Sequence, residues 1–165
     1  NHKEGFFMKN RVILKKLPEV IVYFKKLKIE NYQKYFEYIP KIGKEIEKIN
    51  PDLKAMEPNY CFSIYLDDEF KSENFKIEFC EAVKNFGNET KDIKFKKIKE
   101  VNKAACIYHK GSYETIGESY AYLNKWIKDQ GYKIIDKTRE SYIDGIWNKE
   151  NKSQWLTEIQ IPITE

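Results

Sequence analysis

The chain states much of its pattern twice. The run Val12-Ile13-Leu14-Lys15-Lys16-Leu17-Pro18-Glu19-Val20 returns as Ile93-Lys94-Phe95-Lys96-Lys97-Ile98-Lys99-Glu100-Val101, so that Val20 falls on Val101, 81 positions later. Without a gap, Asn31-Tyr32 falls on Ser112-Tyr113, and Tyr35, Ile39, Ile42 and Ile46 fall on Ile116, Tyr120, Leu123 and Ile127. Both sets have helical spacing. Ile77-Glu78-Phe79 resembles Thr157-Glu158-Ile159 at a shift of 80, which a single deletion explains. A duplicated fold is the simplest reading. Two like halves tend to meet across a pseudo-two-fold axis, and the seam between them is where a ligand cleft would form.

Each half reads as β-α-β-β. Val12 to Leu17 and Val20 to Leu27 alternate lysine with β-branched and aromatic residues, and Pro18 separates them into two short strands or one bent one. Asn31 is a good helix N-cap before the stripe Tyr32, Tyr35, Phe36, Ile39, Ile42, Ile46 and Ile49. Pro40 inside that stripe should kink or split the helix. Tyr60 to Leu66 and Phe75 to Val83 follow as strands joined by the turn Asp67-Asp68-Glu69. After a polar joint over 84–92, the second unit brings a strand from Ile93 to His109, Ser112 as N-cap, a helix from Tyr113 to about Gln130 ended by Gly131, and strands Thr138–Trp147 and Trp155–Ile163. The expected fold is α+β: an antiparallel sheet with both helices on one face. Residues 1–11 are expected to be a tail or linker remnant, and 12–165 a single domain with repeats at 12–83 and 93–165.

At 165 residues the chain is about one domain long. Its 30 basic and 26 acidic residues are interspersed, giving a net charge of +4 without the basic stripe of a dedicated nucleic-acid binder. Cys61, Cys80 and Cys106 are far apart and lack Cys-x-x-Cys spacing, so neither a disulfide framework nor a zinc site is implied. No apolar run approaches the roughly 20 residues of a membrane span, and no signal-peptide pattern opens the chain. A cytoplasmic protein with no cofactor and no membrane partner is expected. The start at Asn1, with Met8 inside the sequence, leaves open a fragment of a longer protein or a native start at Met8.

Chemistry is sought on the last two long strands, where alternate residues share a face. Placing Ser141, Ile143 and Trp147 against the helices would send Glu140, Tyr142 and Asp144 to the open face. Placing Trp155, Thr157, Ile159 and Ile161 in the core would send Leu156, Glu158 and Gln160 there too. Paired through a 148–153 hairpin loop, these strands would bring Glu140 and Glu158 together beside Tyr142. Two carboxylates among aromatic rings suit a lipophilic cation: each ring face contributes about 0.5–2 kcal/mol, and the carboxylate supplies counter-charge in a reduced dielectric. Solvated glutamates on an exposed sheet face are the plainer alternative. His109 has no nucleophile placed beside it and reads as structural. Gly111-Ser112-Tyr113-Glu114 reads as a turn and helix start, since the glycine patterns of phosphate loops are missing. Tyr113, near a helix start, can reach the cleft, and Tyr65 and Tyr23 are added from strand position.

The second half carries a family resemblance. Tyr108-His109-Lys110-Gly111-Ser112-Tyr113-Glu114, the helix ending Leu123-Asn124-Lys125-Trp126, the strand Arg139-Glu140-Ser141-Tyr142 and the terminal Thr157-Glu158-Ile159-Gln160-Ile161-Pro162-Ile163 together resemble the GyrI-like domain. That family includes the effector-binding domains of MerR-type and AraC-type multidrug-sensing regulators. The resemblance implies a cleft that binds bulky, often cationic aromatic molecules over an acidic residue, with Glu140 the first choice and Glu158 the second. It implies DNA contact only through a helix-turn-helix domain absent from this chain, and it is compatible with a homodimer of the full-length form. The favoured function is the effector-binding domain of a regulator. The alternative is a stand-alone GyrI-like protein: a cyclopropanoid-type hydrolase using the same carboxylates, or a gyrase-inhibitor-like protection protein.

Overall fold

The computed structural model describes residues 11–165. Among the described residues, nine antiparallel strands and two α-helices follow in chain order: β1 (Ile13–Leu17), β2 (Val20–Ile29), α1 (Tyr32–Ile49), β3 (Cys61–Tyr65), β4 (Phe75–Val83), β5 (Lys94–Ile98), β6 (Val101–Lys110), α2 (Ile116–Asp129), β7 (Lys133–Ile134), β8 (Arg139–Asp144) and β9 (Leu156–Thr164). Across the sheet the order is β1-β6-β9-β8-β3-β4-β2-β5, with the short β7 on β9. Under the 81-residue shift β1 corresponds to β5 and β2 to β6, and β3 and β4 correspond to β8 and β9. The order therefore reads the same from either edge. Its centre is the seam where β3 meets β8, with Ser63 opposite Glu140. Each half lends its first strand to the other, β1 pairing with β6 and β5 with β2.

Local chemistry sets the helix limits. The Asn31 side chain accepts a hydrogen bond from the Lys34 N–H at 2.9 Å, the N-cap expected from sequence. Pro40 lies inside α1, but the helix continues through it as one 18-residue element. A proline removes one backbone hydrogen bond, and the buried stripe Tyr32, Tyr35, Ile42 and Ile46 outweighs that loss. The second helix starts later than expected: Ser112 makes no side-chain cap, and a turn of 3-10 helix over Tyr113–Thr115 precedes α2. At its end Gly131 takes φ +79°, and Gly131 N–H and Tyr132 N–H bond to the carbonyls of Lys128 and Ile127. This double return requires the left-handed backbone that glycine adopts without a Cβ penalty. The single strand expected from Ile93 to His109 is two, β5 and β6.

Both helices sit on one face. Glu140 of β8 receives hydrogen bonds from Tyr32 of α1 and from Tyr120 of α2, so both helices lie over the same side of the seam. The main core fills the space beneath them, with Ile77, Phe79, Ile107, Ile159 and Ile161 from the sheet against Ile42, Ile46, Leu123 and Ile127 from the helices. The opposite face is also packed. Val22, Phe62 and Cys80 are buried there, and Leu17, Ala104 and Cys106 form a second patch. Two ion pairs cross between the halves on that face: Lys15 Nζ to Glu158 at 2.7 Å, and its repeat equivalent, Lys96 Nζ to Glu78 at 2.5 Å.

Candidate functional site

The seam places a carboxylate at the centre of the helix-bearing face. Alternation along β3 and β8 sends Cys61, Ser63, Tyr65, Glu140 and Tyr142 to the side of the helices. Glu140 has no exposed surface. Its Oε2 accepts from Tyr32 Oη at 2.8 Å and from Tyr120 Oη at 2.5 Å, and its Oε1 accepts from Tyr142 Oη at 3.0 Å. A second tier feeds these donors. Because the Tyr32 proton points to Glu140, Tyr32 accepts from Tyr65 Oη at 2.5 Å. By the same logic Tyr142 accepts from Ser63 Oγ at 2.8 Å, and Ser63 accepts from Tyr35 Oη. Five hydroxyls thus donate along two chains that end on one carboxylate and Tyr120 donates to it directly, the arrangement that an ionised, acceptor-only group completes.

Electrostatics here is a contest between burial and hydrogen bonding. Burial pushes the Glu140 carboxyl above the ordinary glutamate range, while the direct donors Tyr120, Tyr32 and Tyr142, with Tyr65 behind Tyr32, pull it back part of the way. The same burial, followed by the charge of Glu140, holds the phenols of Tyr32, Tyr65, Tyr120 and Tyr142 well above their usual value, so they remain donors. None of the ion pairs among the described residues involves Glu140.

Aromatic rings enclose this network on both sides. Toward α1, Tyr113 stacks on Tyr32 with centroids 4.6 Å apart, and Phe36 meets Tyr113 at 5.0 Å and Tyr142 edge-on at 5.4 Å. Trp155 borders Tyr113, whose hydroxyl accepts from Thr157 Oγ1 at 3.2 Å. Toward α2, Phe70 stacks on Tyr120 at 4.3 Å. The cluster is rich in π-faces, with one carboxylate buried at its centre.

The structure brings Glu140, Tyr142, Tyr113 and Tyr65 into one cluster. It separates Glu158 and Tyr23 from them. Glu140 is paired with Ile159 and Ser141 with Glu158, so the two glutamates lie on opposite faces of the sheet. The expectation that they converge beside Tyr142 on the open face is therefore corrected. Its premise was that charge points away from the helices on β8, whereas Arg139, Glu140, Ser141 and Tyr142 are all buried and Ile143 is exposed. The division assumed for β9 matches, with Thr157, Ile159 and Ile161 on the core side. Glu158 instead accepts from Lys15 and from Gln160 Nε2 at 2.6 Å. Tyr23 lies with Phe79 and Phe95 and donates to Glu81 at 2.7 Å. His109 is buried and structural: its Nε2–H is placed to donate to the Ser112 carbonyl, and Nδ1 accepts from Ser119 Oγ, both at 2.8 Å.

Sequence reasoning missed Tyr32, Tyr35, Phe36, Phe70 and Tyr120. Tyr32, Tyr35, Phe36 and Tyr120 lie on the helix stripes, which periodicity marks as core. A usable signal was present, because a buried tyrosine requires a partner for its hydroxyl, and a stripe that uses Tyr where Phe or Leu would pack implies a shared acceptor beneath it.

Residues 11–164 match the sequence model of the GyrI-like small molecule binding domain. The chain belongs to this family. Among solved structures, the EcmrR C-terminal domain is 44% identical, covering 93% of this chain and 97% of that one with a TM-score of 0.89. The EcmrR–DNA complex gives 42% identity and a TM-score of 0.90 over 100% of this chain, which spans 63% of the EcmrR chain there. More distantly, SAV2435 bound to tetraphenylphosphonium is 15% identical, with a TM-score of 0.55 over 93% of both chains, a likeness of fold alone. No protein with a curated description is significantly similar. As a GyrI-like small-molecule-binding domain close in structure to the EcmrR C-terminal domain, the chain has its aromatic cluster where the two halves meet. Among the described residues no helix is long and apolar enough to cross a membrane.

Proposed function

We propose that this chain is the effector-binding part of a transcriptional regulator and takes up lipophilic aromatic cations between its halves, with Glu140 as their counter-charge and Tyr32, Tyr113, Tyr120 and Tyr142 as ring walls. One observation carries the reading: a fully buried carboxylate at the end of converging phenol chains, inside an aromatic shell, with no ion pair among the described residues. Burying an ion costs several kcal/mol, and hydrogen bonds offset only part of that. A lipophilic cation gives the carboxylate the charge partner it lacks while losing little hydration itself. The likeness to a chain solved in complex with DNA supports the regulatory context, in which DNA contact and dimer formation belong to the full-length protein. The hydrolytic alternative relied on paired carboxylates, which the opposite faces of Glu140 and Glu158 keep apart.

Signal transfer then follows from differential affinity: the ligand favours whichever arrangement of the whole regulator leaves the cleft open. The test is isothermal titration of the domain with tetraphenylphosphonium followed by a crystal structure of the complex. The expected result is one saturable site with the phosphonium centre facing the Glu140 carboxylate; a cation bound elsewhere, or none, contradicts the proposal.

A further inference from the structure

Because Glu140 has no exposed surface, any ligand that meets it must first displace a side chain. Two aromatic residues cover its shell from outside, each on the loop that follows a seam strand. Trp147, after β8, lies over Phe36 of α1 with centroids 5.8 Å apart. Phe70, after β3, lies over Tyr120 of α2 at 4.3 Å, tilted only 18°, and reaches Tyr65 at 6.2 Å. The duplication makes Gly117 the equivalent of Phe36. A Cβ added to Gly117 would stand 3.2 Å from Phe70 Cε1, so the missing side chain lets the Phe70 ring settle on α2.

Against Phe70 runs a groove of about 580 Å³ lined by Tyr65, Tyr120, Asn124, Thr138, Ile134 and Ile135 among others. Small-molecule sites commonly enclose about 300–1,000 Å³. Its inner wall is the phenol pair that leads to the carboxylate, Tyr120 directly and Tyr65 through Tyr32. Its rim holds Asp67, Asp68, Glu69 and Asp136 against Lys137, a balance that raises the local concentration of cations.

Building on the cation-sensing reading, we propose that this groove is the entrance and outer subsite for lipophilic cations, and that Phe70 is its gate. When the Phe70 ring swings off Tyr120, an aryl group of the ligand takes its place. One stack replaces another, so Tyr120 stays covered throughout and its hydroxyl stays on Glu140.

The experiment is stopped-flow association of tetraphenylphosphonium with the wild-type domain, Phe70→Ala and Trp147→Ala, together with amide NMR shifts on titrating the same cation. Phe70→Ala should raise the association rate constant about 10-fold with Trp147→Ala near wild type, as expected when one gate limits access. The amides of Asn124 and Thr138 should shift early in the titration. Phe70→Leu, which keeps the loop packed, should fall between wild type and alanine. Acceleration by Trp147→Ala alone, shifts confined to Phe36 and Trp155, or no shift in the groove at saturation each overturn the proposal. Glu140→Gln separates this idea from the one it rests on. Groove shifts and gating by Phe70 that persist in a variant binding the cation as tightly as wild type would retain the entrance and remove the counter-charge.

Discussion

Glu140 has two opposed demands on its proton. Burial favours the neutral acid, while three direct phenol donors and the hydroxyls behind them favour the anion. The net direction is upward, and it fixes the sign of the pH effects. With a folded-state value above the unfolded one, protonated Glu140 contributes stability that is present below the unfolded value and is lost as pH rises through the folded value. Glu140→Gln removes this titration, so the stability of wild type relative to the variant should decline as pH rises above the ordinary glutamate range, about 4. Paired denaturant titrations at each pH check it, and a flat difference contradicts it. The ligand responds the other way: affinity for a lipophilic cation should fall on acidification, beginning above the range where an exposed glutamate titrates. The amide itself is an imperfect substitute. If its NH₂ donates to Tyr142, the Tyr142 and Ser63 protons must reverse, leaving the Tyr35 proton without its acceptor.

At the scale of elements, what was legible in the sequence was whatever has a period or a cap. Phe75–Val83 as a strand, Asn31 as an N-cap and Gly131 as a helix stop all follow from side-chain chemistry acting within a few residues. The faces of β8 were not legible, because alternation gives parity without saying which side is inside, and a buried run of Arg-Glu-Ser-Tyr inverts the usual guess. The same limit hid Tyr32 and Tyr120, which periodicity marks as core, whereas only the paired strands show that a carboxylate lies beneath both. Nothing within β3 or β8 fixes their pairing across the seam, which depends on long-range contacts. Pro40 is a further case, a helix breaker overruled by a buried stripe. It lies exposed, immediately after the turns that present Tyr32, Tyr35 and Phe36, and leaves the Phe36 carbonyl without a proline N–H to accept from. Pro40→Ala should restore that bond and raise stability by about 1–3 kcal/mol. Chemical denaturation measures this; a loss of stability would mean that α1 depends on the proline for its shape.

At the largest scale the described residues form a duplication whose two-fold relation is broken at the seam. Strand order, exchanged edge strands and the crossed Lys15–Glu158 and Lys96–Glu78 pairs follow the repeat. At the seam the halves differ, with Ser63 facing Glu140, so that one carboxylate rather than two sits between the helices. A single buried carboxylate within an aromatic shell suits the proposed ligand, one with a central positive charge and aryl groups around it. The most direct test compares tetraphenylphosphonium with triphenylphosphine oxide, a neutral aryl analogue, by isothermal titration against wild type, Glu140→Gln and Glu158→Gln. Glu140→Gln should weaken the cation by about 1–3 kcal/mol, the range for a charged partner, and change the neutral compound far less. Glu158→Gln, on the other face, should leave both affinities unchanged. Equal losses for cation and neutral analogue in Glu140→Gln, or a cation-selective loss in Glu158→Gln instead, would contradict the account.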